Sequence, residues 1–173
     1  MTSASLSADC SRCAALCCVA LAFDRGPMFA IDKANGETCP NLDSCGQCRI
    51  HAELDRAGFK GCVQYDCLGA GQRVTQEVFG GRSWQSDPDL LVPMMQVFET
   101  MRIVHEQLLL LREAEKLPLS TVERAESARL HATLEPDSGW SQTTLALLDS
   151  AKVTAEVRTF LMSLRRHAVR AKT

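Results

Sequence analysis

A mainly α-helical protein is predicted: a cysteine-rich module of short helices and turns with little strand, packed on an α-helical domain. Three observations carry this prediction. All nine cysteines lie between Cys10 and Cys67, and residues 68–173 have none. Turn-rich pieces repeatedly interrupt the cysteine region, whereas apolar residues beyond Asp89 recur at helical spacing. The 173 residues suit one full domain, or a small module joined to a helical one. The expected division is a flexible N-terminal tail over residues 1–8, the cysteine-rich module over 9–87, and a helical domain of about four helices over 88–173.

Residues 1–8 form a Ser/Ala/Thr-rich stretch. The cysteine region is broken at Asp24-Arg25-Gly26-Pro27, at Asn35-Gly36 and from Asn41 to Gly46. Between these turns, Pro27 to Lys33 reads as a short strand, with Met28, Ala30 and Asp32 on one face and Phe29 and Ile31 on the other. Arg49 to Ala57 reads as a helix stopped by Gly58, and Gly69 to Phe79 as a helix closed by Gly80-Gly81. Pro88 suits the first turn of the next helix. That helix runs from Asp89 to Lys116, with Leu91, Met94, Met95, Phe98, Met101, Ile103, Leu108 and Leu111 at three- and four-residue steps. Pro118 ends it. Ser120 is a candidate N-cap for a helix to about Leu134, and Pro136 to Gly139 breaks that helix. Ser141 to Asp149 makes a short helix. Lys152 to Ala171 makes the last, with Val153, Val157, Phe160, Leu161 and Leu164 inward. Its basic end (Arg165, Arg166, Arg170, Lys172) suits the helix dipole and is expected to be solvated.

The formal net charge is −2, so nothing global attracts nucleic acid or an acidic membrane surface. Residues 1–67 hold 6 Lys/Arg against 8 Asp/Glu, and residues 68–173 hold 13 against 13. No apolar run reaches the length needed to span a bilayer. Ala14 to Phe23 imitates a signal peptide, but its basic region is the single Arg12 beside Asp9, and cleavage after Ala22 would discard four clustered cysteines. A cytoplasmic location is therefore expected, where dense cysteine reads as metal or redox chemistry.

Four of those cysteines fall in CSRCAALCC, residues 10 to 18. On a helix over residues 9–22, Cys10, Cys13 and Cys17 share one face, while Cys18 is rotated by about 100° from Cys17. Either the helix unwinds there or the two neighbouring thiols serve different purposes. Cys45-Gly46-Gln47-Cys48 is a second C-x-x-C. A role as small buried hydrophobes explains one or two of the nine, Cys45 first. Disulfides leave one thiol unpaired and need an oxidising compartment. A metal accounts for the density best. Thiolates with little histidine select zinc, iron–sulfur clusters or cuprous copper. Zinc takes four ligands, so eight cysteines could close two sites. An iron–sulfur cluster takes four thiolates and tolerates the apolar surroundings of AALCCVAL. The C-x3-C-x2-C order of radical-SAM enzymes is reversed here, which excludes that motif.

Cys10-x2-Cys13-x3-Cys17-Cys18, followed by Cys39-Pro40-Asn41-Leu42, Cys48-Arg49-Ile50-His51, Cys62 and Cys67, resembles the zinc- or iron-chelating C-x2-C-x3-C-C domain found in many bacterial proteins. The resemblance implies eight metal ligands: Cys10, Cys13, Cys17, Cys18, Cys39, Cys48, Cys62 and Cys67. Cys45 is the extra one, and His51 stands where the family often carries tyrosine. Gly58 to Val74 (GFKGCVQYDCLGAGQRV) and the helix near Leu90 are closest to an actinobacterial subgroup whose module often precedes pentapeptide repeats. No run of such pentads is present here. The likeness covers roughly residues 9–115 and names a ligand set, without a reaction.

The remaining catalytic inventory is thin. His51, His105, His131 and His167 are scattered, and no G-x-S-x-G, Walker loop or H-E-x-x-H occurs. Gly69-Ala70-Gly71 opens a helix without a preceding strand or a third glycine, so a structural turn is expected there. Some C-x2-C-x3-C-C proteins are linked to protein-lysine methylation, but no SAM-binding pattern is legible, and no catalytic residue is assigned. The expected function is metal binding through an iron–sulfur cluster, of the [4Fe-4S] type, with a redox, sensing or accessory role. The competing readings are a zinc-stapled interaction module holding one or two Zn2+, and a metal-trafficking protein. A protein partner or a second copy is expected at the helical domain; no nucleic acid and no membrane are expected.

Overall fold

The computed structural model describes residues 4–170. Helix dominates it, and among the described residues strand pairing is limited to two isolated bridges, Phe23 with Lys33 and Leu42 with Cys48. In chain order the helices are α1 Leu16–Ala20, α2 Lys60–Gln64, α3 Ala70–Arg73, α4 Leu91–Ala114, α5 Thr121–Leu134, α6 Gln142–Ala146, α7 Ser150–Ser163 and α8 Arg165–Arg170. The mainly α class read from the sequence is the class observed.

The 24-residue α4 is the spine. Met94, Phe98, Met101, Val104, Leu108 and Leu111 are buried along it, and α1, α3, α5, α6 and α7 all pack on it. A helix covered from several sides shows weak amphipathicity, so its apolar residues spread beyond one stripe. Pro88 opens a 3-10 turn that leads into α4. Ser120 caps α5 as expected: its hydroxyl accepts from Glu123 N–H at 3.3 Å, and the Glu123 carboxylate accepts from Ser120 N–H at 2.7 Å. Trp140 then closes the far end of α5 by donating its indole N–H to Leu134 O at 3.0 Å. Val153, Val157, Phe160 and Leu164 point inward from the last helical stretch. A turn at Leu164 divides that stretch into α7 and α8; Ala171 and Lys172 lie outside the described residues.

The cysteine region departs from several expectations. No helix runs through residues 9–22. Cys10–Arg12 is a single 3-10 turn, Cys13 is extended, and Ala15 sits at φ 53 before α1 begins. The strand expected over Pro27 to Lys33 reduces to the one bridge at Lys33, and the Arg49–Ala57 helix reduces to the 3-10 turn His51–Glu53. Both stretches are too short and too exposed for local propensity to win without a packing partner. The helix over Gly69 to Phe79 is present, but its second half, Val74–Val78, widens into a π turn. Residues 4–8, expected within a tail, lie against the helical half. Ala4 N–H donates to Glu135 at 2.7 Å, and Arg112 donates to Ala4 O at 2.9 Å.

Candidate metal centre

The cysteine region has almost no core of its own. Between residues 21 and 68 only Lys33, Leu42 and Phe59 are buried. It is organised instead around a cavity of about 270 Å3, many times the room that one water needs. All eight cysteines of the resemblance line it: Cys10, Cys13, Cys17, Cys18, Cys39, Cys48, Cys62 and Cys67. Cys45 does not; it is exposed on the Asp43–Gln47 turn. The rest of the wall is largely apolar, with Phe23 stacked on Phe29 at 4.2 Å between centroids and Phe59 edge-on to Phe23 at 6.4 Å. His51 also lines it. The thiols are distributed over the wall: among the described residues no three His, Cys, Asp or Glu side chains already converge on a point where one ion would sit.

The backbone is shaped to present these sulfurs. Ala15 holds a left-handed conformation that costs an ordinary residue roughly 1–2 kcal/mol, and its neighbour Ala14 is clamped on both sides. Thr75 Oγ1 accepts from Ala14 N–H at 3.0 Å, and Trp84 donates its indole N–H to Ala14 O at 2.7 Å. The result turns the N–H groups of Ala15 and Leu16 toward the Cys13 sulfur. Burial pushes the Cys13 thiol up to about 11, and those two N–H groups oppose the shift. Cys48 shows the same arrangement in part: burial raises it, and the Ile50 N–H opposes. Burial also takes Cys62 to about 11 and raises Cys10. Cys17 donates to Cys18, which raises Cys17 and lowers Cys18, with Lys33 assisting the latter.

The C-terminal end of α1 is capped by the following turn. Cys39 N–H donates to Cys18 O at 3.0 Å, Gly36 N–H to Val19 O at 3.0 Å, and the Asn35 amide to Ala20 O. These bonds satisfy carbonyls that a helix end leaves free, and they draw Cys39 up beside Cys18. Lys33, 3% exposed, is part of this cap. Its ammonium donates to Val19 O at 3.2 Å, Ala34 O at 3.0 Å and Glu37 O at 2.8 Å, and it stands 5.5 Å from the Phe23 ring centroid. A cation in this position suits the helix dipole.

Cys67 is delivered by a second strained turn, with Leu68 at φ 53 and Gly69 at φ 84. His105, fully buried on α4, donates from Nδ1 to Leu68 O at 2.6 Å and so fixes its tautomer, leaving the buried Nε2 without a partner. Burial holds the imidazole down at about 4. An unfolded histidine titrates near 6.5, so the unfolded chain binds the extra proton between those values. Stability from His105 is therefore complete above pH 6.5 and falls as pH drops toward 4, by about 3 kcal/mol in all. Proton NMR should find this ring neutral at pH 5, and a His105→Asn chain should lose the corresponding part of the acid-side slope in denaturant midpoint.

Three observations test whether these residues fit a metal–thiolate group. The donors are eight soft sulfurs with apolar backing. Tyr65, on the same wall, has a buried hydroxyl with no hydrogen-bond partner, free to donate to a thiolate or an inorganic sulfide. Gly71 leaves room for Cys13: a Cβ there would lie 2.6 Å from the Cys13 sulfur. The residues fit. Gly71→Ala should keep its helicity by circular dichroism and bind less metal, because Cys13 can escape the clash only by rotating its sulfur away.

The eight cysteines singled out in the sequence line the cavity and Cys45 lies outside it, but Cys45, expected as a small buried hydrophobe, is exposed on its turn. The sequence reading missed Lys33, Tyr65, the Thr75–Trp84 clamp and His105. Lys33 carried one legible sign: at period two it continues the Phe29–Ile31 face, an odd place for a lysine. The clamp left none, since it joins residues about 60 to 70 apart in the chain.

Among known proteins, the chain is 38% identical over 157 residues to a protein of Bacillus subtilis (strain 168) described as uncharacterized protein YybG, across 91% of this chain and 56% of the relative. The chain thus spans little more than half the length of that relative. No family model matches the chain, and no solved structure matches it. The likeness to the C-x2-C-x3-C-C domain accordingly rests on the cysteine spacing.

Proposed function

We propose that this is a metal-binding protein whose cavity thiols hold an iron–sulfur cluster, in a redox, sensing or accessory role. One observation carries the reading: eight of nine cysteines, brought from four separate stretches of chain, line one apolar cavity larger than a bare ion requires. Thiolates spread over an apolar wall, with peptide N–H groups aimed at Cys13 and Cys48, suit a cluster, whose potential responds to burial and to hydrogen bonds at sulfur. When bound, the cluster would supply one-electron chemistry. The chain's own residues would hold it, exclude water through Phe23, Phe29 and Phe59, and donate hydrogen bonds to its sulfurs.

A second reading, a zinc-stapled interaction module, is favoured by the missing core: three buried residues between 21 and 68 cannot offset the ordering of that segment. In either case a protein partner or second copy is proposed at the helical half, where Val122 and Leu147 are each 79% exposed. No helix among the described residues is long and apolar enough to cross a membrane, and a cytoplasmic site of action is part of the proposal.

Iron, zinc and acid-labile sulfide content, with a visible spectrum, on anaerobically purified protein decides between them. Iron and sulfide in equal amounts with broad visible absorbance supports the cluster. Zinc without sulfide supports the staple and overturns the cluster.

A further inference from the structure

We propose that a second cavity, between the N-terminal strap of residues 4–12 and α3, is a binding site for a small amino-acid zwitterion. No cysteine lines it, so the site stands whatever the thiols hold. Its volume of about 240 Å3 lies below the roughly 300–1,000 Å3 of pockets that take drug-sized ligands. A single small metabolite is the size it admits.

Side chains of α3 fix the strap through its backbone. Gln72 donates to Ser7 O at 2.8 Å and accepts from Asp9 N–H at 2.5 Å, and Gln76 donates to Arg12 O at 2.8 Å. At the other end Ala4 N–H donates to Glu135 at 2.7 Å. Gly69 lets the strap close there, since a Cβ would lie 2.4 Å from Ser5 O. Arg12 and Glu135 therefore stand at opposite ends of the strap, and both line the cavity.

Both have hydrogen-bonding capacity to spare. The Glu135 side chain is 20% exposed, and the bond from Ala4 is the one hydrogen bond its carboxylate accepts among the described residues. Arg73 Nη1 and His131 Nδ1 each stop 3.9 Å from it, outside hydrogen-bond range. A carboxylate offers about four lone-pair sites, so Glu135 lacks donors. Glu77 does not: Arg73 Nε meets one oxygen at 2.8 Å and Trp140 N–H the other at 2.6 Å. The Arg12 guanidinium makes no hydrogen bond or ion pair among the described residues. Asp9, the carboxylate that feels its charge, accepts instead from Ser11 N–H at 3.1 Å and Ser11 Oγ at 2.5 Å.

The four charges of the lining, Arg12, Arg73, Glu77 and Glu135, sum to zero. Glu77 neutralises Arg73 across their short contact, which leaves Arg12 and Glu135 to recognise a ligand. A bare anion would meet Glu135, and a bare cation Arg12, as like charges in a partly desolvated site. A molecule carrying both groups meets each end with its opposite. Its ammonium brings three donors to Glu135, and its carboxylate matches the planar fork of Arg12.

Calorimetric titration of the full chain at low salt tests this, with glycine and 4-aminobutyrate as the zwitterions and butylamine and butyrate as single-charge controls. At least one amino acid should bind, roughly 10-fold or more tightly than either control, since each end adds a charge-assisted hydrogen bond. Arg12→Gln, at an exposed position, should reduce that amino acid to the affinity of butylamine. Glu135→Gln keeps an oxygen for Ala4 N–H and should reduce it to the affinity of butyrate. A role confined to holding the strap would not give that pairing. A control that binds as tightly as the amino acids overturns the proposal. So does the absence of binding by either amino acid at millimolar concentration, or an amino-acid affinity that either variant leaves unchanged.

Discussion

Cys13→Ser should lose at least half of the metal carried per chain, while Cys45→Ser keeps all of it. The two residues occur in the same C-x-x-C-rich region and differ in what surrounds them. Cys13 is half-buried in the cavity wall, its sulfur met by the Ala15 and Leu16 N–H groups and fitted against Gly71. Cys45 is exposed on a turn that Asp43 already closes, accepting from Cys45 and Gln47 N–H at 2.8 Å each. Loss of a supporting hydrogen bond at a metal site costs about 10–100-fold in affinity, and loss of a ligand should exceed that. The thiols must also surrender their protons to bind, and burial has pushed Cys13 and Cys62 up to about 11. Binding therefore releases protons, and retention should fall as pH falls, steeply because several thiols act together. Elemental analysis of each variant, and of the parent dialysed across a pH series, checks both statements. Equal loss from Cys13→Ser and Cys45→Ser would place Cys45 among the ligands.

The helical half was legible because its signals are local and mutually consistent. Ser120 with Glu123 specifies a capping box, Pro88 and Pro118 flank α4, and the Met94–Phe98–Met101–Leu108–Leu111 series reports the buried face at the helical period. The cysteine half was legible in which thiols share one cavity and not in its backbone. A helix over residues 9–22 satisfied the spacing of Cys10, Cys13 and Cys17, yet the chain breaks at Ala15. Long-range partners invisible to a sequence window, Thr75 and Trp84, hold Ala14 in another conformation. The strand at Phe29 and Ile31 failed for a related reason: Phe29 packs on Phe23 and against Gly61, so the face that alternation predicted is used for a loop cluster. Cys17 and Cys18 both line the cavity although the helix period turns them about 100° apart, an arrangement that order along the chain does not show.

Removal of the metal should melt residues 21–68 and leave the helical half folded. Hydrogen exchange on the full chain, before and after anaerobic chelation, should show protection lost from amides such as Cys39, Leu42 and Cys62 while those of α4, α5 and α7 stay slow. The asymmetry follows from where burial lies. Met94, Phe98, Met101, Val104, Leu108 and Leu111 of α4 share one apolar core with Leu130, Leu134, Val153, Val157 and Phe160, at roughly 1.5–3 kcal/mol for each fully buried large side chain. Leu16 and Ala20 of α1 belong to that core too, so the first turn of the module should remain docked. Residues 21–68 have only Leu42 and Phe59 as buried apolar anchors, against an ordering cost of roughly 1–2 kcal/mol per residue. A structural metal contributes about 10–16 kcal/mol in zinc-finger peptides, a few times what burial of Leu42 and Phe59 supplies together. Lys33 sharpens the expectation: with the thiols protonated it keeps its carbonyls and the Glu37 carboxylate but loses the charges of Cys39 and Cys18, which favours opening of the turn that carries Cys39. Exchange that stays slow throughout residues 21–68 after metal removal would mean that the cavity is held by its aromatic wall, and that the metal is a guest of the fold and not its staple.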